Sequence, residues 1–363
     1  MHSRTRHALG SLTAGGIVLV VLVSFAAALV SARTALADPV VAAAGDIACG
    51  TGSSGNCAQQ ATANALASIN PDAVVLLGDD QYENGTLSDF AAYFDPTWGA
   101  WKSITRPAPG NHEYNTAGAT GYFDYFDGVG NSSGPAGNRS AGYYSWDIGS
   151  WHLIALNSNC TAVGGCGAGS TEEQWLRTDL ATHPASCTLA YWHHPRWSSD
   201  SVIGSIAAVA PFVQALYDYR TDLVLVGHAH TYERFGPQDP SGNADVNGGL
   251  VEIISGTGGK SEFAFGSTLL PNSMVHADTL GVLKLTLHAS SYDWQFVPAA
   301  GQTFTDAGTG LCHGRAASNT PPPRPVGDPG GHNVYGPSGT AGGHSNGKSY
   351  RRPSHQQAPG RAR

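Results

Sequence analysis

The chain has 363 residues, of which 41% are hydrophobic and 13% charged, and its formal net charge is −8. This negative charge argues against a scaffold that binds nucleic acid through the phosphate backbone. It does not exclude phosphate chemistry, because bound metal ions would give the protein a local cationic site.

The first 37 residues have the pattern of a secretory signal peptide. Arg4 and Arg6 precede an apolar run, Gly16 to Val30, and Ala35-Leu36-Ala37 supplies small residues for cleavage before Asp38. Three arginines leave with this segment, so the charge of −8 becomes −11. The alternative is an uncleaved membrane anchor, since the apolar run approaches spanning length. We expect cleavage, and therefore a secreted, extracellular protein without a stable membrane span.

The cysteines indicate disulfides rather than a metal site. Their number is even, six, and no Cys-x-x-Cys spacing occurs, which fits an oxidising compartment. Two pairs can each close a short loop, which leaves the last two cysteines to tie the end of the chain to the core. Sequence alone does not fix the pairing, and the arrangement that we expect is Cys49–Cys57, Cys160–Cys166 and Cys187–Cys312.

From Val40 onward, short apolar runs alternate with longer amphipathic stretches. Continuous apolar runs that end in Gly, Asp or His are typical of buried strands, and the stretches between them predict helices. The predicted strands are Val40–Ala44, Ala73–Leu77, Thr188–Trp192 and Leu223–Val226. The predicted helices are Asn56–Ile69, Thr171–Thr182 and Ile206–Tyr219.

A strand-rich region follows the alternating units. Tyr143–Ile148 and Trp151–Leu156 predict a hairpin across Gly149-Ser150, and the later predicted strands are Leu250–Ser255, Val282–His288 and Tyr292–Val297. This order predicts an α/β fold with two sheets and helices outside them. We expect one catalytic domain over residues 38–313. Residues 314–363 are rich in Pro, Gly, Arg and His, and we expect a disordered tail there.

Polar motifs follow these strands. They are Gly45-Asp46, Gly78-Asp79-Asp80-Gln81-Tyr82, Gly110-Asn111-His112-Glu113, His193-His194-Pro195 and Gly227-His228-Ala229-His230. Any one aspartate could be a helix N-cap, and a lone histidine pair could be polar surface. Ligands of α/β folds bind beyond the carboxyl ends of the strands, so all five motifs together predict a shared site. Carboxylates and imidazoles suit a hydrolytic site with two metal ions.

In sequence and in order along the chain, these five motifs resemble those of the calcineurin-like metallophosphoesterases, and specifically of the purple acid phosphatases. The resemblance runs from Asp46 to Arg234. It implies a four-layer sandwich of two mixed β-sheets flanked by helices. It also implies one metal ion held by Asp46, Asp79, Tyr82 and His230, and another held by Asp79, Asn111, His193 and His228, with Asp79 bridging.

One departure from the broader superfamily is informative. Many members have a metal-binding histidine two residues after the first aspartate, where this chain has Ala48. Tyr82 fills the gap, although a packed aromatic is the alternative for that residue. A phenolate favours Fe(III), whereas the site of Asn111 suits divalent Fe, Zn or Mn.

The resemblance further implies hydrolysis by a metal-activated hydroxide. His112 is the expected catalytic residue, because it can protonate the leaving oxygen. Asn111, His112 and His194 are expected to contact substrate phosphate, and Arg196 can also reach it. For His194 and Arg196, a position at the surface or packing behind the metal ligands is the alternative. For Glu233 and Arg234 we expect an ion pair that braces the loop, and for Trp197 and Tyr232 either the pocket rim or core packing.

No predicted strand leads through a Gly-rich phosphate loop with Lys, or through a Gly-x-Ser-x-Gly elbow, into a predicted helix, which disfavours nucleotide-driven phosphoryl transfer and a serine esterase. We expect an acid phosphatase that hydrolyses small phosphate monoesters. A phosphodiesterase with the same metals is one alternative. A non-catalytic envelope protein that binds metal or phosphate is the other. The oligomeric state stays open.

Overall fold

The structure is a computed structural model that describes residues 37–50, 53 and 57–314. The predicted signal peptide, apart from Ala37, and the predicted tail, apart from Gly314, lie outside these residues. Within the described part of the chain, no helix combines the length and the apolar composition needed to cross a membrane.

Strands are the most numerous elements among the described residues. The first nine are β1 (Val40–Ala44), β2 (Ala48–Cys49), β3 (Ala73–Leu77), β4 (Gln81–Tyr82), β5 (Thr105–Ala108), β6 (Ser133–Gly134), β7 (Gly137–Asn138), β8 (Tyr144–Ile148) and β9 (Trp151–Ala155). The next eight are β10 (Cys187–Trp192), β11 (Leu223–Val226), β12 (Tyr232–Phe235), β13 (Val251–Ser255), β14 (Ser273–Ala277), β15 (Gly281–Leu287), β16 (Ser291–Pro298) and β17 (Ala307–Leu311).

The helices lie between the strands. They are α1 (Gln59–Ile69), α2 (Leu87–Asp89), α3 (Thr120–Phe126), α4 (Thr171–Thr182) and α5 (Ala210–Asp218). A π-helical segment, Phe90–Phe94, continues α2, and short 3-10 helices span Trp98–Ile104, Glu113–Asn115, Ala117–Ala119 and Ala207–Val209.

Two mixed sheets form the centre of the molecule. The six-stranded sheet has the order β17-β16-β15-β1-β3-β5, and the seven-stranded sheet has the order β14-β12-β13-β11-β10-β9-β8. The neighbours β1, β3 and β5 are parallel, and so are the neighbours β9, β10, β11 and β13. Antiparallel strands complete both sheets, which confirms the predicted α/β fold with two mixed sheets.

The molecule has four layers, two sheets with helices on their outer faces, because the side chains of each sheet alternate between its two faces. In β1, Val41 and Ala43 enter the core between the two sheets, together with Leu189 of β10. Ala42 and Ala44 face the other way and pack with residues of α1. On the far face of the second sheet, the even-numbered residues of β10 and β11 pack with α4 and α5. This alternation is what a sheet covered on both faces requires.

Most predicted elements are confirmed. The bounds of β1, β3, β11 and α4 agree with the prediction. Helix α1 begins at Gln59, later than predicted, and Asn56 lies outside the described residues. The predicted helix Ile206–Tyr219 is shorter, because a 3-10 turn precedes α5, which has a proline in its first turn.

Strand β5 was not predicted from the sequence. It is only four residues long and contains Pro107, which removes one backbone donor and weakens the strand pattern. It lies at the edge of the six-stranded sheet, where proline is tolerated.

The three expected disulfides are confirmed. Cys49–Cys57 and Cys160–Cys166 close loops with separations of eight and six residues. Cys187–Cys312 joins positions 125 residues apart and ties the end of the described chain to the first residue of β10.

Candidate dimetal centre

Polar side chains follow the carboxyl ends of five parallel strands. Asp46 follows β1, Asp79 follows β3, Asn111 follows β5, His193 follows β10 and His228 follows β11. Parallel strands of one sheet end at the same edge, so the topology gathers these residues. The structure therefore brings together the residues that the sequence motifs selected.

Sharp turns set the direction of three of these side chains. Asp46, Asp79 and His228 have left-handed φ angles of 61°, 51° and 68°, a conformation that costs about 1–2 kcal/mol per non-glycine residue. The strain is held by contacts between turns, since the His228 backbone N–H donates to Asp46 Oδ2 at 2.8 Å. Strained residues of this kind cluster at functional sites.

Asp46, Tyr82 and His230 form the first donor cluster. The Tyr82 hydroxyl donates to Asp46 Oδ1 at 2.6 Å and lies 3.0 Å from His230 Nε2. His230 Nε2 is also 3.3 Å from Asp46 Oδ1. All three side chains are buried. A carboxylate, a phenol and an imidazole thus meet at one point.

Asp79, Asn111, His193 and His228 form the second cluster. His193 Nε2 lies 3.1 Å from Asn111 Oδ1, 3.0 Å from His228 Nδ1 and 3.3 Å from Asp79 Oδ2. Asp79 also lies within reach of the first cluster, because donor atoms of Asp46, Asp79 and His193 all fall within 4.8 Å of one another. The two clusters therefore adjoin at Asp79.

The donors fit metal ions because backbone carbonyls fix the ring tautomers. His193 Nδ1 donates to the Leu77 carbonyl and His230 Nδ1 to the Ser261 carbonyl, both at 2.8 Å. Each ring therefore turns Nε2 toward the centre, and this nitrogen can bind a metal ion that displaces its proton, as in ligating histidines. The Nε2 atom of His193 also faces an imidazole nitrogen of His228, a pairing that a cation between them would stabilise.

The electrostatics of the centre also favour bound cations. Burial alone would raise the pKa of Asp79, but the charge and hydrogen bond of His193 outweigh it and hold that pKa far below its usual value. Burial lowers the pKa of His193, yet Asp79 raises it to about 9. Burial, with the charges of Asp46 and Asp79, raises the pKa of the Tyr82 phenol well above its usual value. Coordination of Tyr82 as a phenolate therefore requires a strongly polarising ion.

His112 lies beside the second cluster. Its backbone N–H donates to Asp79 Oδ1 at 2.8 Å, and its Nδ1 lies 2.7 Å from the Glu83 carbonyl. Its Nε2 is 3.8 Å from Asp79 Oδ2, and its side chain is 24% exposed. The ring is therefore anchored through Nδ1, and Nε2 stays on the side of the centre.

Glu113 braces the ligand turns, a role that the motif did not reveal. Its buried carboxylate accepts hydrogen bonds from the backbone N–H groups of Asp79, Gly110 and Gln81 at 3.0, 2.8 and 3.2 Å. Burial and the charge of Asp79 raise the pKa of Glu113 to about 7. Gly110 also needs to be small, since a Cβ there would lie 2.1 Å from Asp79 Oδ1. The turns that carry Asp79 and Asn111 are thus held together.

A cavity of about 820 Å³ opens above the centre. Five of its lining residues were not predicted, and Lys260 and Phe263 are two of them. The Lys260 ammonium pairs with Glu83 Oε1 at 2.8 Å and lies 4.6 Å from the centroid of the Tyr82 ring. Phe263 stacks on His230 at 3.9 Å. No motif marked them, because they follow β13 on a loop with little sequence pattern.

Two further residues, His194 and Arg196, were predicted near the substrate phosphate. His194 Nδ1 lies 2.7 Å from Ser158 Oγ, and burial together with His193 lowers the pKa of His194 to about 2. Its contact with substrate stays a prediction. The Arg196 guanidinium lies 5.3 Å from the centroid of the ring of Trp197.

The prediction of an ion pair between Glu233 and Arg234 is wrong. Arg234 pairs with Asp306 at 2.6 Å, whereas Glu233 accepts hydrogen bonds from Ser199 N and Ser273 Oγ. Neighbours along a strand point to opposite faces, which separates these two side chains. Trp197 and Tyr232 are buried in the core. Of the two predicted positions, the pocket rim and the core, the second is confirmed.

The sequence of this chain is similar to those of known phosphoesterases. It is 29% identical over 236 residues to purple acid phosphatase 15 of Arabidopsis thaliana, covering 55% of this chain and 42% of that protein. It is also 29% identical over 248 residues to a nucleotide pyrophosphatase/phosphodiesterase of Hordeum vulgare, covering 60% and 65%. The chain thus spans less than half of the length of the first of these relatives and less than two thirds of the second.

Solved structures agree with the fold. A purple acid phosphatase from yellow lupin seeds has a TM-score of 0.60 at 19% identity, covering 75% of this chain and 53% of that one. At this identity the likeness concerns the fold alone. The sequence model of the family described as Calcineurin-like phosphoesterase matches residues 39–232, more than half of the chain and all five motifs up to the histidine pair. The chain therefore belongs to the calcineurin-like phosphoesterase family and is related to the purple acid phosphatases.

Proposed function

We propose that this protein is an exported acid phosphatase that hydrolyses small phosphate monoesters at two metal ions. The observation that carries the proposal is the pair of donor clusters that adjoin at Asp79 on the floor of the cavity. Bound ions would supply a hydroxide nucleophile and offset the charge of the phosphate. One ion would be held by Asp46, Asp79, Tyr82 and His230, and the other by Asp79, Asn111, His193 and His228.

The donor chemistry distinguishes the two sites. The Tyr82 phenol and two carboxylates are hard donors that favour Fe(III), whereas the amide of Asn111 and two imidazoles suit divalent Fe, Zn or Mn. Binding of Fe(III) at the first site requires Tyr82 Oη to face the ion. The short contacts of this oxygen with Asp46 and His230 support this orientation.

His112 is the proposed general acid. With its Nδ1 held by the Glu83 carbonyl, the ring can present Nε2 to the leaving oxygen of a phosphoester in the cavity. A proton delivered there prevents the build-up of negative charge on the leaving group. The lysine that lines the cavity, Lys260, is paired with Glu83, so the positive charge that attracts an anionic substrate would come mainly from the bound ions.

Metal content and absorption test the two-metal proposal. We expect two metal ions per chain and a visible tyrosinate-to-iron band that disappears in Tyr82→Phe. Tyr143→Phe, which alters a ring packed on Trp175, is the matched control and should keep the band. A fully active protein without bound metal contradicts the proposal, and a fully active, colourless, iron-free enzyme contradicts the assignment of Fe(III).

Kinetics test the role of His112. His112→Asn should lower kcat about 10²- to 10⁴-fold while metal content stays unchanged, because the backbone N–H that binds Asp79 remains. His276→Asn, at an exposed position, is the control. A His112→Asn enzyme as fast as the parent contradicts this role. A metal-loaded parent that turns over no phosphoester would instead support the non-catalytic binding protein.

A phosphodiesterase is the second candidate, and the size of the cavity, about 820 Å³, leaves room for a second ester group. Turnover of matched aryl monoesters and diesters separates the two. We expect the larger kcat/KM with the monoester, and a preference for the diester would replace our proposal.

Export is supported by the disulfides and by the start of the fold. Disulfides persist in oxidising compartments, and β1 begins two residues after Asp38. Sequencing the amino terminus of the protein from its native host should give Asp38. An intact leader in the membrane fraction would support the anchor instead.

A further inference from the structure

A second group of metal-ligand side chains lies away from the candidate dimetal centre. It contains His152 of β9, Asp179 of α4 and His183, which directly follows α4. His152 pairs in register with Thr188, near the start of β10, whereas His193 follows the end of that strand. The group therefore lies at the opposite end of the seven-stranded sheet, and the proposed phosphatase chemistry does not use it.

The contacts place one carboxylate between two imidazoles. Asp179 Oδ2 is 2.8 Å from His152 Nε2, and Asp179 Oδ1 is 3.1 Å from His183 Nδ1. On its other side, His152 Nδ1 lies 2.7 Å from Asp147 Oδ1. An imidazole with a carboxylate on one nitrogen and a metal on the other is a common arrangement in zinc proteins, because the carboxylate fixes the tautomer.

We propose that His152, Asp179 and His183 form a third metal site, for Zn²⁺, with Asp147 as the outer carboxylate of His152. Tetrahedral Zn²⁺ with bonds of about 2.0–2.2 Å separates neighbouring ligand atoms by about 3.3–3.6 Å. The donors thus need to open by about half an ångström. His183 can supply the movement on its own side of Asp179, because its side chain is 51% exposed. The 2.8 Å contact between the buried side chains of His152 and Asp179 opens by a small rotation of the Asp179 carboxylate about its Cβ–Cγ bond.

Charge and space agree with a bound cation. With neutral imidazoles the two carboxylates carry a charge of about −2, and among the described residues their ion-pair partners are histidines. A divalent ion neutralises this charge without protonating either ring. A cavity of about 260 Å³, lined by Asp147, His152 and His183 among others, leaves room for a water molecule as the fourth ligand. The competing interpretation is a network of charged hydrogen bonds without metal.

Zinc counting after equilibrium dialysis of the full chain tests the site. The parent should bind one more Zn²⁺ per chain than His183→Asn. Asp147→Asn should keep the site with an affinity about 10- to 100-fold weaker. His276→Asn should match the parent, which controls for zinc held by other histidines. Both altered side chains are mostly exposed, so the variants should fold.

Equal zinc stoichiometry and affinity in the parent and His183→Asn would overturn the proposal and leave the hydrogen-bonded network. Phosphoesterase activity is measured in parallel and should be the same in the parent and His183→Asn. This measurement distinguishes the third site from the dimetal centre. If the third-site proposal is refuted, the proposed function is not affected.

Discussion

The carboxylate of Glu113 connects stability to metal binding. It accepts three backbone hydrogen bonds, two at Oε2 from Asp79 and Gly110 and one at Oε1 from Gln81. Replacement by glutamine keeps the shape but leaves only one oxygen. If the remaining oxygen accepts the two hydrogen bonds now made to Oε2, the new amide NH₂ faces the Gln81 N–H. Two buried donors then face each other, and the Gln81 N–H has no acceptor.

The size of the effect follows from counting these donors. One buried N–H without an acceptor costs about 1–3 kcal/mol, so Glu113→Gln should lower the free energy of unfolding by that amount. Glu113→Ala leaves three such groups and should cost at least about 3 kcal/mol. The freed turns carry Asp79 and Asn111, and we therefore expect metal affinity to fall about 10- to 100-fold, as for other losses of outer-shell support.

Urea denaturation of the metal-depleted protein measures the first effect, and metal titration measures the second. Glu262→Gln is the matched control, because this glutamate is exposed and lies near the cavity. A Glu113→Gln variant with the unfolding free energy and the metal affinity of the parent would refute the bracing role.

Three further predictions concern the fold around the centre. Replacing Cys187 and Cys312 by serine should cost about 4–5 kcal/mol, because their bridge closes a loop of 125 residues and so restricts the unfolded chain. Burial raises the pKa of Glu172 well above its usual value of 4.5, so the stability of the parent is fully present below pH 4.5 and declines as the pH rises toward the folded-state pKa. The stability of Glu172→Gln relative to the parent should therefore increase as the pH rises above 4.5. Gly227→Ala should lose about 1–3 kcal/mol and bind metal more weakly, because its Cβ would lie 2.8 Å from Asp46 Oδ2.

Each of these has a direct measurement. Urea denaturation of the double serine variant should show a loss larger than that of the Cys160/Cys166 double variant, and equal losses would contradict the loop argument. Thermal unfolding from pH 4 to 8 should show the gap between Glu172→Gln and the parent widening, and a constant gap would contradict the pKa shift. Metal titration of Gly227→Ala should show weaker binding, and unchanged affinity would contradict the steric argument.

Much of the fold and of the candidate site could be predicted from local sequence. Buried strands such as β3 and β11 are short, continuous apolar runs, and their bounds agree with the prediction because such runs need no distant information. The motifs follow these strands directly, so their side chains could be assigned to one edge of the sheets. The short edge strand β5 escaped prediction, since pairing with β3 rather than its own pattern makes it a strand.

The sequence by itself determined the α/β class, the disulfide candidates and the residues that gather at the centre, because these depend on residue type and on local periodicity. Only the tertiary structure decided that Glu113 braces two ligand turns and that Arg234 pairs with Asp306, 72 residues away. The same is true of Lys260, which meets Glu83 across 177 residues. Such contacts depend on how distant loops approach one another after the sheets have packed, and no local pattern in the chain encodes that distance.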